Sequence, residues 1–190
     1  MSEKKNGGVG EIVNLIVVLG LITLICALLL GVINQVTAPK IAANEKATRD
    51  ASMAEIIPGA EFTDLETTIE GDKTTPAITG VYEATVGGET VGYCVEVTPS
   101  GFGGTLTMIV GVNVDGTIAG AKVNSMAETP GLGAKSQSDW IDQYAGMAAD
   151  GSLAVTKDGG SVVPITGATI TSRAVTLGVN TAANYVASLG

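Results

Sequence analysis

The chain reads as an α+β protein, with one N-terminal membrane helix followed by a domain of mostly antiparallel sheet and flanking helices. Three patterns predict this. Residues 12–33 form an unbroken apolar run in which Asn14 and Thr23 are the only polar side chains. Four β-prone runs follow at 78–86, 89–97, 105–114 and 117–126, and Gly87-Gly88 and Asp115-Gly116 supply two-residue hairpin chemistry between them. Near the C-terminus Val175, Val179, Ala182 and Val186 recur at spacings of four, three and four, which marks one face of an amphipathic helix. Hairpins flanked by helices are the signature of an α+β layer arrangement.

The elements are expected in this order. Residues 1–11 form a short tail carrying Lys4 and Lys5. The 12–33 run, at 1.5 Å per residue, reaches roughly 33 Å and is long enough for a bilayer core. It is longer than the apolar region of a signal peptide, and no Ala-x-Ala cleavage pattern follows it, so a retained span is expected. Pro39 is expected to interrupt or restart the helix. A connecting helix then occupies 34–60, rich in alanine, until Pro58-Gly59 stops it. Residues 64–76 are polar and read as a surface loop. The domain itself is expected over 61–190. Beyond the four β runs, 136–147 reads as a helix, with Trp140 and Tyr144 sharing a face directed at the core. Residues 153–156 read as a short strand, and Asp158-Gly159-Gly160 as a turn.

Composition narrows the chemistry. There is no histidine, which removes Ser-His-Asp hydrolysis and any histidine-ligated metal or haem. The two cysteines, Cys26 and Cys94, cannot hold an iron–sulfur cluster and form no Cys-x-x-Cys pair. No catalytic or metal-ligating residue is singled out, so any redox chemistry must ride on an organic cofactor. From Asp50 onward there are 16 acids and five bases, a net of −11. That surface excludes nucleic acid, which needs basic patches. It serves solubility, or else faces a cationic partner.

The most informative segment is Thr166-Gly167-Ala168-Thr169-Ile170-Thr171-Ser172. It places hydroxyls and a glycine where the strand-like 161–165 run meets the start of the last helix. A helix start offers unpaired N–H groups and a positive dipole end, which suits a phosphate. The same hydroxyls could equally serve as an ordinary N-cap.

Thr166-Gly167-Ala168-Thr169 resembles the (Ser/Thr)-Gly-Ala-Thr motif of the covalent-FMN-binding domain family. That family includes the RnfG subunit of Rnf complexes and the NqrC subunit of sodium-pumping quinone reductases. A second segment, Glu128-Thr129-Pro130-Gly131-Leu132-Gly133, is similar to another stretch of the same family. The resemblance implies FMN joined through its phosphate to Thr169, the threonine that closes the motif. It implies supporting contacts from Thr166, Gly167, Ala168, Thr171 and Ser172, and from Glu128, Thr129, Gly131, Leu132 and Gly133. One position departs from the family pattern: Val163 stands where the family usually has an aspartate, and the nearest acid is Asp158. Arg173 is a candidate phosphate contact or a solvated surface residue. The glycine-rich 100–104 segment around Phe102 is a flexible turn or a place of close approach to a ring.

The resemblance further implies an electron-transfer subunit of an Rnf-type, ion-translocating ferredoxin:NAD oxidoreductase. It would sit in the plasma membrane with its N-terminus cytoplasmic and its domain extracytoplasmic. Its expected partners are the other subunits of the complex, membrane lipid, and a flavinyl transferase during maturation. The alternatives are an NqrC-like subunit or, in a different class, a non-redox anchored binding module.

Overall fold

The computed structural model describes residues 8–72 and 74–189. The first seven residues, with Lys4 and Lys5, lie outside them. The chain divides into two compact units after Ala47.

Helix α1 runs over Gly8–Ile56. Its apolar window has a mean hydropathy of 3.1 and none of that window is buried within the protein. Leu15, Leu19, Leu28 and Leu30 all present their side chains outward. Such a surface is stable only against a solvent as apolar as itself, and an unbroken helix pairs its own backbone groups there. The Thr23 and Thr37 hydroxyls donate to the Gly20 and Ile33 carbonyls at 3.0 and 2.6 Å. Pro39 sits inside the helix without ending it. The expected interruption is absent: a missing N–H and a ring clash cost one ladder bond, and the helical turns on either side carry the chain through.

In the second unit, five antiparallel strands form a meander in the order β1-β2-β3-β4-β5. They are Glu61–Asp64, Ala77–Val86, Glu89–Thr98, Leu106–Asn113 and Ile118–Met126. The last four match the β-prone runs. The short edge strand β1 is not among those runs, because four largely polar residues carry no alternating pattern. Gly87, Gly88 and Gly116 all have positive φ, as their hairpin turns require.

One face of the sheet receives the last turn of α1 and the residue that follows it, where Met53 and Ile57 join Tyr82, Ala84, Cys94 and Ile109. The other face carries the larger core, built from Val95, Val97, Leu106, Met108 and Val110 against α2, Thr169–Ala187. Val175, Val179 and Ala182 of α2 are all fully buried there.

Two expected elements are replaced. Residues 136–147 are not one α-helix but two 3₁₀ turns, Gly133–Gln137 and Asp139–Tyr144. Ser138 is the reason: it is extended, its hydroxyl donates to Lys135 O at 2.7 Å, and its side chain caps the second turn. Serine offers the backbone this alternative to a helix. Tyr144 is nonetheless buried and meets Trp140 edge-on at 5.8 Å, as a shared face demands. Residues 153–156 and 161–165 form no strand. They touch through one parallel bridge, Val155 to Val162, and a short 3₁₀ turn follows at Thr156–Asp158.

Candidate functional site

Three loop segments meet at one carboxylate. Glu128, just after β5, is 9% exposed. Its Oε1 accepts the backbone N–H groups of Phe102 at 2.7 Å and Gly103 at 3.3 Å. Its Oε2 accepts the Thr171 hydroxyl at 3.0 Å. A buried charge is tolerable when its lone pairs are occupied in this way. Space for it exists because two flanking residues are glycines: a Cβ on Gly101 would overlap Oε1, and one on Gly133 would press on Oε2 and on the Thr171 hydroxyl. Glu128 therefore ties the β3–β4 loop and its own loop to the first turn of α2.

The start of α2 is shaped by a turn at Thr166-Gly167, with Gly167 at φ +81°. That left-handed conformation is one a glycine adopts without cost. The N-cap is Ala168, which has no side chain able to cap, so the ordinary Ser/Thr cap does not occur here. The expected capping hydroxyls are used otherwise. Ser172 is fully buried, accepts the Ile165 N–H at 2.9 Å and donates to Ala168 O at 3.0 Å, which holds the incoming segment on the helix. Thr169, the first residue of α2, is half-buried, and its Oγ1 accepts from Lys157 Nζ at 2.9 Å.

The segment before the turn hangs on the 3₁₀ pair. Gln143 Oε1 accepts the Val163 N–H at 2.8 Å, and Trp140 Nε1 donates to Val163 O at 2.7 Å. The Val163 side chain, at the position that departs from the family pattern, is 62% exposed. Arg173 does not reach the Thr169 hydroxyl. Its guanidinium makes a two-pronged contact with Asp158, Nε to Oδ2 at 2.7 Å and Nη2 to Oδ1 at 2.5 Å. That pairing holds the Asp158 carboxyl below the usual carboxylate range.

These segments enclose a cleft of about 390 Å³. Glu128, Thr129, Leu132 and Gly133 line one side, and Gly167, Ala168, Thr169 and Thr171 the other. Thr166, Gly131 and Ser172 are not on its surface. Phe102, Lys157 and Ile170 are. Phe102 belongs to the glycine-rich segment read as either a flexible turn or a place of close approach to a ring, whereas sequence reasoning misses Lys157 and Ile170. Lys157 is twelve residues from Thr169 and no motif links them. The fold joins them by doubling back at Gly159, in the left-handed conformation at φ +87°.

The cleft fits FMN in kind. Its volume lies in the range of small-molecule sites. Phe102, Leu132 and Ile170 offer exposed apolar surface to a ring system. An uncapped helix start and a lysine ammonium stand at the hydroxyl where a phosphate would be held.

Comparison with known proteins agrees. Residues 16–56 match the RnfG N-terminal region and residues 101–184 an FMN-binding domain. The G subunit of the ion-translocating oxidoreductase complex of Cereibacter sphaeroides is 37% identical over 83% of this chain and 76% of its own. The G subunit of the Na⁺-translocating ferredoxin:NAD⁺ oxidoreductase complex of Acetobacterium woodii is 37% identical over 86% of each. Among solved structures, the C subunit of the Na⁺-translocating NADH-quinone reductase of Parabacteroides distasonis is 32% identical, with a TM-score of 0.48 over 58% of this chain and 61% of that one. With two segments matching in order and relatives aligned along most of their length, the chain belongs to the RnfG family, the FMN-binding G subunits of ion-translocating oxidoreductase complexes.

Proposed function

We propose that this chain is the membrane-anchored electron-transfer subunit of an Rnf-type ion-translocating ferredoxin:NAD oxidoreductase, carrying FMN esterified through its phosphate to Thr169 Oγ1. The observation that carries this reading is the Thr169 hydroxyl, set at the uncapped start of α2 on the wall of the cleft and touched by a lysine. FMN supplies the electron transfer, taking up and releasing electrons at a ring the ester leaves chemically free. The chain's residues do the rest. Glu128 holds the two loops on α2, Ser172 holds the attachment turn, and Phe102, Leu132 and Ile170 shield a ring from water. Esterification keeps the cofactor from dissociating, which matters where replacement FMN is scarce.

The domain bounds follow the same reading: 1–11 tail, 12–33 span, 34–60 connecting helix and 61–190 FMN-binding domain. The N-terminus faces the cytoplasm and the domain lies outside, so a flavinyl transferase acts there during maturation. The remaining subunits of the complex, together with membrane lipid, are the chain's partners. The single span carries only Asn14 and Thr23 as polar groups and offers ions no path of its own.

Intact mass spectrometry of the chain coexpressed with a flavinyl transferase tests the attachment, because one FMN adds a defined mass. Peptide mapping should place that mass on Thr169. An unmodified, colourless chain would favour the anchored binding module instead. Protease added to intact protoplasts tests sidedness: the domain should be trimmed and the span spared.

A further inference from the structure

Among the described residues lining the cleft, Lys157 is the one cation, and its Nζ donates to the very oxygen proposed for esterification. Nothing about a lysine on a short loop demands this. The side chain is long, and an ammonium in water gains little from a neutral hydroxyl.

The loop that presents it is well fixed. Thr156 N–H bonds Val162 O at 2.8 Å, Asp158 N–H bonds Val155 O at 2.8 Å, and Gly160 N–H bonds Val155 O at 3.1 Å. Gly160 packs so closely on Ala154 that a Cβ there would overlap its carbonyl. The neighbouring cation, Arg173, already has both prongs on Asp158. A phosphodiester built on Thr169 brings one negative charge onto two free oxygens adjacent to Oγ1. An ammonium has three donors and only one is spent on Thr169, so it can turn from the hydroxyl to those oxygens without moving its backbone.

We propose that Lys157 is the charge partner of the phosphodiester on Thr169. It holds the linkage in place at the start of α2, and the proposal rests on the FMN attachment described above. Arg173 serves the protein fold by pairing with Asp158, and Lys157 serves the cofactor.

The test uses the full chain, loaded by coexpression with a flavinyl transferase and purified in detergent, with ³¹P NMR of the diester as the readout. Lys157→Gln should keep the FMN mass but displace the diester resonance, and Lys157→Arg should return it toward the wild-type position. A resonance unmoved in Lys157→Gln overturns the proposal. If the wild-type chain itself shows neither diester resonance nor added mass, the attachment reading fails, and it does so independently of Lys157.

Should Lys157→Gln take up no flavin, unesterified chains are compared by fluorescence quenching with FMN and with riboflavin, which lacks the phosphate. FMN affinity should fall about fivefold, the scale of an exposed ion pair, with riboflavin affinity unchanged. Equal losses for both ligands would assign Lys157 a structural role only and overturn the proposal.

Discussion

The two long helices obey opposite rules. In α1 the residues of the apolar window point outward and none is buried, although the window is the most hydrophobic stretch of the chain. In α2 four of the ten buried residues carry hydroxyls: Thr171, Ser172, Thr176 and Thr181 are buried beside apolar residues such as Val175, Val179 and Ala182. Hydropathy therefore identifies α1 and misjudges α2. The difference lies in what each helix meets. A bilayer solvates α1 uniformly, so its side chains need only be apolar. Helix α2 meets a folded domain, where each hydroxyl can be given a partner. Thr176 donates to Ser172 O at 2.8 Å and pairs with the Tyr144 hydroxyl at 2.8 Å, and Thr181 donates to Leu177 O at 2.9 Å. Bonded in this way, a buried hydroxyl costs little.

The largest expected effect is at the first residue of α2. Thr169→Ala should abolish the covalent flavin entirely while leaving the domain folded, because the hydroxyl it removes accepts only from exposed Lys157. Ultraviolet fluorescence of the denatured band reads this directly. Fluorescence that persists and maps to Thr166 or Thr171 would reassign the site.

Next comes the contrast itself. Val179→Ala, in the buried stripe of α2, should cost the domain about 2 kcal/mol from lost burial and the cavity left behind. Leu19→Ala, on the outward surface of α1, should leave the domain's denaturant midpoint unchanged. Equal effects would break the comparison.

A similar magnitude is expected from alkali. Burial pushes the Tyr144 hydroxyl from 10.0 up to about 12, partly offset by its hydrogen bond with Thr176. Because the folded value lies above the unfolded one, the stabilisation is fully present below pH 10 and is lost as pH rises toward 12. Cys94, pushed by burial from 9.0 to about 12, acts in the same direction. Tyr144→Phe should remove the tyrosine's share, about 3 kcal/mol at most, and flatten the alkaline limb of the stability profile.

Glu128→Gln follows. The amide keeps one acceptor for the three donors now served by two oxygens, so stability should drop by about 1–2 kcal/mol while FMN stays attached. If the cleft that Glu128 lines takes the flavin ring, replacing its carboxyl by an amide should also raise the flavin's potential. Equal potentials in a redox titration would leave Glu128 only its role as a tie between loops.

The smallest effect is expected from Arg173→Gln. Its partner Asp158 is exposed, so flavin loading measured by mass should match the wild type. The acid limb of stability should change slightly, because the Asp158 contribution is present above the usual carboxylate range and lost as pH falls through its lowered value.

The membrane span, the four long strands, the C-terminal helix and the two motif loops were legible in the residues alone, because each rests on a local pattern: an apolar run, period-two alternation with glycine turns, a 3.6-residue stripe, or a short motif. The tertiary structure decided what depends on distant partners. The two 3₁₀ turns that replace an expected helix reach Val163 through Trp140 Nε1 and Gln143 Oε1, while Ser138 breaks the helical ladder locally by bonding Lys135 O. Val155 and Val162 had strand-like neighbours but found only each other, so no strand formed. Ala168 is the N-cap, while the hydroxyls of Thr171, Ser172 and Thr169, inside the helix, pair with Glu128, Ile165 and Lys157. Lys157 itself was invisible to any motif. Periodicity reports which face of an element is buried, but not which loop will fold back to set an ammonium against one threonine.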